Sequence, residues 1–157
     1  MGLDIIAYKG LKRVENPVFD EDGFPKNENE WMPGTGLTWA EEHWKGRSEP
    51  IEADAVYTYT ERYAFRAGSY IGYNWWRDRL DEFKGDCAFQ ELINFSDCEG
   101  VIGSVVSRKL YEDFKKYHDE AIIYAKGFKD GDFFIDRYEK WLKAFEIAKD
   151  NGAVDFS

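Results

Sequence analysis

The chain contains 157 residues, of which 31 are acidic and 21 are basic, and its formal net charge at pH 7 is −10. One ordinary domain fits this length, and the acidic excess argues against binding to duplex nucleic acid or anionic membranes, which both require clustered Lys and Arg. Aromatic residues make up 18% of the chain, so they either fill a bulky core or remain available to line a pocket or an interface.

Cysteine usage and the first residues predict a cytoplasmic protein. The start, MGLDIIAYKG, lacks the cationic segment and apolar block of a signal peptide, and no stretch is apolar enough to span a membrane. Cys87 and Cys98 are too few for a secreted disulfide scaffold, although one bridge between them is compatible with the sequence. Together with His43 and His118 they lack the paired spacing of zinc sites. We therefore expect no metal and no cofactor.

The first strand is predicted at residues 3–8, LDIIAY, a short apolar run rich in Ile. Residues 16–50 contain all four prolines, three of them within 16–36, and several Gly, Asn and Asp, which predicts a long loop or insertion with a short helical turn before Pro50. Loops of this length are usually functional or mobile. Three tryptophans predict that this loop packs against the rest of the domain: Trp31, Trp39 and Trp44.

Alternation of β-branched and aromatic residues predicts a second strand at residues 55–65, AVYTYTERYAF. Residues 66–69 follow as a turn, and Ser69 is a suitable N-cap for a helix over residues 70–83. The apolar stripe of this helix consists of Tyr73, Trp76, Leu80 and Phe83.

The second half of the chain is predicted to be mainly helical. Residues 86–100 are compatible with a short helix through Leu92 and a following polar loop, and helical periodicity then extends over residues 101–117. Asp130 or Asp132 is expected to cap one further long helix.

Gly152 is a typical helix stop, and the tail after it, AVDF at residues 153–156, is short enough for an edge strand. Strands at both ends with helices between them predict an α+β domain. Its small, mostly antiparallel sheet would be packed by about three helices and would carry the long Trp-containing loop. We expect a single domain over residues 1–157.

The first candidate site is the strand–turn–helix unit FRAGSYIGYNWWRDRL, residues 65–80. Its glycines permit close approach of the backbone, and the helix start offers amide groups that attract an anion. Arginines would meet phosphate and aromatic rings would stack on a base, which predicts a small anionic, nucleotide-like ligand. The predicted ligand contacts are Arg66, Ser69, Tyr70, Tyr73, Asn74, Trp75 and Arg77.

A purely structural alternative exists for the same unit. Tyr73 and Trp76 would then belong to the core, and the glycines would only form the turn. Arg77 and Arg79 would pair with neighbouring aspartates on the surface.

The second candidate site is the polar segment ELINFSDCEG, residues 91–100. Paired carboxylates can act as acid and base or hold a divalent metal, and Cys98 would be a nucleophile only with a base beside it. The structural alternative is that residues 94–99 cap and brace the following helix. The same loop can also bind a ligand held by the first site. Its predicted ligand contacts are Glu91, Asn94, Ser96 and Asp97.

The sequence contains no phosphate-loop, GxGxxG, GxSxG or HExxH pattern, which lowers the expectation of a familiar enzyme. Four blocks, MGLDIIAY, FRAGSYIGYNWWR, ELINFSDCEGVIG and KAFEIAKDNGAVDF, resemble an uncharacterised family of small tailed-phage and prophage proteins. The resemblance covers nearly the whole chain and is weakest in residues 16–50. It implies a protein made in the infected bacterial cytoplasm that is not part of the virion.

The combined expectation is a non-catalytic phage counter-defence protein that sequesters a nucleotide-derived immune signal, with Asn94, Ser96 and Asp97 fixing the ribose or base edge. We expect a homo-oligomer with sites at subunit interfaces. One alternative is an acidic protein–protein inhibitor of a host defence enzyme that uses the Trp-rich loop. Another is a metal-dependent hydrolase acting on a nucleotide through Glu91, Asp97 and Glu99.

Overall fold

Two antiparallel sheets and six helices make up residues 2–157, the part of the chain that this computed structural model describes. The elements are β1 (Gly2–Lys9), β2 (Lys12–Arg13), β3 (Glu30–Trp31), α1 (Thr35–His43), β4 (Tyr57–Thr58), β5 (Glu61–Ser69), α2 (Tyr70–Lys84), α3 (Gln90–Ile93), β6 (Gly100–Gly103), α4 (Ser104–Lys116), α5 (His118–Ala125), α6 (Gly131–Ala148) and β7 (Ala153–Phe156). The fold class is α+β, as predicted. No helix within residues 2–157 is long and apolar enough to cross a lipid bilayer.

The larger sheet has the strand order β5-β1-β7-β6, and each neighbouring pair is antiparallel. Alternate residues of a strand face opposite sides of the sheet. On one side, Leu3, Ile5 and Ile102 pack into a core built with the long helices α2, α4 and α6. Much of the aromatic excess lies in this core. Its largest fully buried aromatic side chains are Trp76, Trp141, Tyr73, Tyr138, Phe89, Phe114, Phe134, Phe145 and Phe156.

The opposite side of the larger sheet is covered by the segment between β1 and β5. The smaller sheet, with the order β2-β4-β3, and helix α1 both lie in this segment. They contribute to a second apolar cluster in which the Tyr8 and Trp31 rings stack with centroids 4.8 Å apart. Residues 16–50 are therefore not one continuous loop. They contain β3 and a nine-residue helix where the sequence predicts a single helical turn.

The strand predicted at residues 55–65 divides into β4 and β5, and β5 continues through the turn predicted at 66–69. Pairing with β1 explains the difference. The register shifts between Leu3 and Asp4, which leaves Ala67 as the extra residue of a bulge. The residues expected to turn therefore remain in the strand until α2 begins.

Other predictions for the second half are also wrong. Residues 101–103 belong to β6 instead of a helix, because they pair with β7, and α4 begins only at Ser104. The tail at residues 153–156 is an interior strand, since β7 pairs with β1 on one side and with β6 on the other. Helix α5 was not predicted. Cys87 and Cys98 are free thiols, so no bridge joins them.

Candidate functional site

The junction between β5 and α2 forms the base of the first candidate site. Ser69 caps α2 as predicted, because its Oγ accepts a hydrogen bond from the Gly72 amide at 3.0 Å. Gly68 has a φ of +142°, and a Cβ at this position would lie 3.3 Å from the Tyr73 amide nitrogen. Glycine is therefore required here by both backbone conformation and close approach.

The two candidate segments meet in one polar cluster beside this junction. Asn74 Nδ2 donates to Asp97 Oδ2 at 3.1 Å and to the Tyr70 carbonyl oxygen at 3.0 Å. Interaction of the Tyr70 hydroxyl with the Asp97 carboxylate, through hydrogen bonding and then through charge, raises the pKa of Tyr70. Asp97 of the 91–100 segment therefore lies next to the first candidate segment.

Arg77 holds this cluster together and is not available to a ligand. Its guanidinium donates to the carbonyl oxygens of Ile93 and Phe95 and to Asn74 Oδ1. The side chain is only 12% exposed, and its Nη2 lies 3.7 Å from Asp97 Oδ2. The structure thus corrects the expectation that Arg77 meets phosphate. It also differs from the structural alternative, because Arg77 pairs with Asp97 and not with a neighbour on its own helix.

Tyr73 and Ser96 are buried, which corrects their predicted contacts with a ligand. The Tyr73 ring lies in the core, 4.8 Å below the Arg77 guanidinium, so no base can stack on it. Ser96 Oγ accepts from the amides of Cys98 and Glu99 at 3.2 and 3.1 Å. The 94–99 segment is therefore stabilised by hydrogen bonds within itself. It does not cap a helix, because strand β6 follows it.

Three predicted contacts lie outside the cluster. Arg66 is exposed and pairs with Asp4, with Nη1 and Oδ1 3.2 Å apart. Glu91 pairs instead with Lys109 of α4 at 2.8 Å. The exposed Asn94, which directly follows α3, donates a hydrogen bond to the side chain of Gln90 in that short helix.

The three carboxylates proposed for a hydrolase are not brought together. Among residues 2–157, no three His, Cys, Asp or Glu side chains are placed to share a metal ion. Asp97 faces the polar cluster, whereas Glu99 lines a cleft to which Asp97 does not contribute.

A shallow groove lies on the exposed side of the polar cluster. Its volume is about 420 Å³, and we call it the Tyr70–Trp75 groove after its lining residues Tyr70, Ile71, Asn74, Trp75 and Asp78. The Trp75 ring is half-buried and packs against Phe133, with centroids 5.8 Å apart. Of the predicted stacking residues, Tyr70 and Trp75 are thus at the surface.

The sequence did not predict a larger cleft of about 760 Å³, to which residues 98–100 contribute. Asp155 of β7 lines it, and its Oδ2 accepts a hydrogen bond from Trp31 Nε1 at 3.2 Å. Burial raises the pKa of Asp155 to about 7, although the Trp31 bond acts in the opposite direction. The one sequence feature that pointed to this cleft is Asp155 itself, a single carboxylate in the otherwise apolar strand AVDF.

Comparisons with protein-family models, with curated proteins and with solved structures gave no match. The surfaces of the chain itself therefore carry the functional argument. They include two concave surfaces that share no lining residue: the Tyr70–Trp75 groove and the cleft lined by Asp155.

Proposed function

We propose that this protein is a non-catalytic binding protein that sequesters a nucleotide-derived ligand in the Tyr70–Trp75 groove. One observation carries the proposal: Tyr70 is 55% exposed in the lining of the groove, and Asn74 beside it in the same lining donates a hydrogen bond to Asp97. A nucleobase stacks favourably on an exposed aromatic ring, and a carboxylate accepts hydrogen bonds from the N–H groups of a base edge. The groove volume of about 420 Å³ lies within the usual range for small-molecule sites.

The Asp97 carboxylate is held in place before any ligand arrives. Asn74 donates to Oδ2, and the guanidinium of Arg77 lies beside the same oxygen. A carboxylate offers about four acceptor positions, so these contacts leave capacity for a ligand N–H. Such preorganisation reduces the entropy lost when the ligand binds. An amino-bearing base fits this acceptor.

Arg66 is the cation that we propose for a phosphate group. Its side chain is 56% exposed, and its partner Asp4 is equally exposed. Exposed ion pairs contribute only about 0–1 kcal/mol, so a phosphate can displace Asp4 from the guanidinium. Of the two arginines predicted to bind phosphate, we therefore propose only Arg66. Arg77 already donates its hydrogen bonds to acceptors of the protein.

The biological setting of the proposal comes from the four sequence blocks that resemble tailed-phage proteins. In the cytoplasm of an infected bacterium, such a protein would remove an immune signal by binding alone. The dissociation constant must then lie well below the signal concentration. Ile71 is 81% exposed beside the groove, and we expect a second copy to cover it in a homo-oligomer.

A thermal-shift screen tests this function with cyclic dinucleotides, cyclic trinucleotides and ADP-ribose derivatives as probes. A ligand at about one hundred times its dissociation constant adds roughly 2.7 kcal/mol of stability, which corresponds to several degrees for a domain of this size. Tyr70→Ala and Asp97→Asn should each abolish the shift, and Arg66→Ala should reduce it. Val105→Ala is the matched control, because Val105 is comparably exposed on α4 and distant in sequence.

Chromatography of the recovered ligand separates binding from chemistry. Intact ligand supports sequestration, and altered ligand would indicate a hydrolase instead. Absence of a shift with every probe, or a shift retained by both Tyr70→Ala and Asp97→Asn, would refute the assignment of the groove.

A second candidate function is supported by residues 18–25, a turn that we call the arm. Phe19 and Pro25 form an isolated antiparallel bridge at its base, and Asp20 Oδ1 accepts the Phe24 amide at its turn. Val18 and Phe24 are 62% and 61% exposed. Exposed apolar side chains next to the acidic sequence DED are typical of a protein-binding surface. This arm favours a direct inhibitor of a host defence enzyme.

The two candidate functions predict different responses to substitution. Binding of a host enzyme through the arm should weaken as salt is added and should be lost in Phe24→Ser. It should be unchanged in Tyr70→Ala, which affects only the groove. Inhibition of a purified defence enzyme, measured with these two variants at low and high salt, distinguishes the functions.

A further inference from the structure

We propose that the cleft lined by Asp155 is a second binding site, which takes a small organic cation: an amine or guanidinium group on an apolar body. The site shares no lining residue with the Tyr70–Trp75 groove and is independent of the function proposed for that groove. Its volume of about 760 Å³ is within the range of small-molecule sites.

Four segments of the chain form the walls of the cleft. They are residues 22–24 of the arm, residues 32–37 before and within α1, residues 98–100, and residues 155–157 at the end of β7. Apolar side chains dominate the lining and supply the surface for an apolar ligand body: Phe24, Met32, Pro33, Leu37 and Phe156.

The charged side chains of the lining are all acidic. They are Asp22, Glu99 and Asp155, and no Lys or Arg is among the lining residues. An anionic ligand would be repelled by the ionised carboxylates, whereas a cation would be attracted by them and would favour the ionised form of Asp155. The sign of the charge therefore selects the ligand class.

Asp155 is the residue that most needs a cationic partner. It lies between Ile6 of β1 and Val101 of β6, on the side of the sheet that the second apolar cluster occupies. Its one hydrogen bond to a described residue comes from Trp31, and it belongs to no ion pair within residues 2–157. A partly buried carboxylate without a cation is unfavourable. A ligand ammonium or guanidinium group would supply the missing charge and the missing donors.

The start of α1 lies in the same cleft, and helix N-termini attract anions because they carry partial positive charge. A carboxylate of the protein already lies there. Glu99 Oε2 is 3.4 Å from the position that a Cβ on Gly36 would occupy, in the first turn of α1. Glu99 thus lies next to the start of α1. The partial positive charge of the helix therefore does not reverse the preference of the cleft for a cation.

The test uses phenethylamine and agmatine as probes, with 2-phenylethanol as a neutral molecule matched to phenethylamine in size. Binding to the full chain is followed by calorimetry up to about 10 mM probe, where a millimolar dissociation constant is still measurable. We expect both amines to bind and the alcohol not to bind. Asp155→Asn should weaken amine binding at least about tenfold, since the charge-assisted hydrogen bond is lost.

Additional variants distinguish a direct effect on binding from unfolding of the Asp155→Asn protein. Glu99→Gln changes an exposed side chain, and it should weaken amine binding a few-fold while thermal melting is unchanged. Glu146→Gln, an exposed acid on α6, is the matched control and should bind amines normally. Tyr70→Ala should also leave amine binding intact, so failure of the nucleotide site and failure of this site are distinguishable.

Two outcomes would overturn the proposal. One is equal binding of phenethylamine and 2-phenylethanol, which would show that the carboxylates contribute nothing. The other is absence of binding by both amines over the whole concentration range.

Discussion

Replacement of Asp155 by Asn should change how the stability of the protein depends on pH. Asn has nearly the same shape as Asp, and its carbonyl oxygen can still accept the hydrogen bond that Trp31 Nε1 donates. The substitution therefore removes one titrating group while the packing between the two layers is retained. The groups facing Asp155 from the neighbouring strands include Tyr8, whose pKa of about 12 keeps it neutral throughout the tested range.

The magnitude follows from the shift in the pKa of Asp155. Burial raises this pKa from its ordinary value of 3.8 to about 7. Between these two pH values Asp155 is protonated in the folded protein and ionised in the unfolded chain. The free energy of unfolding therefore falls by about 1.36 kcal/mol for each unit by which the pH rises. The stabilising contribution is complete below about pH 4 and is lost as pH rises through about 7. From about pH 5 to about pH 8 the loss amounts to roughly 2.5 kcal/mol.

Urea denaturation of both proteins at about pH 5 and about pH 8 measures this effect. The wild-type free energy of unfolding should fall between the two pH values by roughly 2.5 kcal/mol more than that of Asp155→Asn. The remaining titratable groups are the same in both proteins, so their contribution cancels in the comparison. Equal pH dependence of the two proteins, within about 0.5 kcal/mol, would show that Asp155 is well solvated in the folded state.

Three further substitutions test the structure around the groove, each by urea denaturation. Arg77→Lys should lower the free energy of unfolding by at least about 2 kcal/mol, because a lysine cannot reach both the Ile93 and Phe95 carbonyl oxygens. Unchanged stability would contradict the linking role of Arg77. Tyr73→Phe should change it by less than about 1 kcal/mol, since the buried Tyr73 hydroxyl has no hydrogen-bond partner among the described residues, and a larger loss would point to an additional partner. Ser69→Ala should cost about 1 kcal/mol through loss of the cap of α2, and Ser69→Asp should restore most of it if capping is the cause.

Local sequence patterns predicted those elements whose identity depends on residues close in the chain. The stripe at Tyr73, Trp76 and Leu80 predicted α2, because one helix face alone meets the core. Ser69 was recognised as its cap from residue type and position. By contrast, the apolar residues at 101–103 satisfy both a helical and an extended pattern, and only their pairing with β7 makes them a strand.

The candidate site was predictable only in its parts. Its two segments were each recognised from their aromatic and polar residues, but no local pattern indicates which side chains are left at the surface. Burial by the core removed Tyr73, and carbonyl groups of the 93–95 segment engaged Arg77, whereas Tyr70 stayed exposed. These outcomes depend on contacts between residues far apart in sequence, and such contacts form only when the layers pack.

By itself, the sequence determined the α+β class, the main helices, the strand at the N-terminus and the acidic character of the surface, because periodicity and charge are local properties of the chain. Tertiary structure alone decided that Asp97 joins Asn74 beside Tyr70, and that Asp155 lies in a cleft under Trp31. The physical reason is the same in both cases. A side chain acquires its solvation, its partners and its pKa from neighbours that strand register and layer packing bring together.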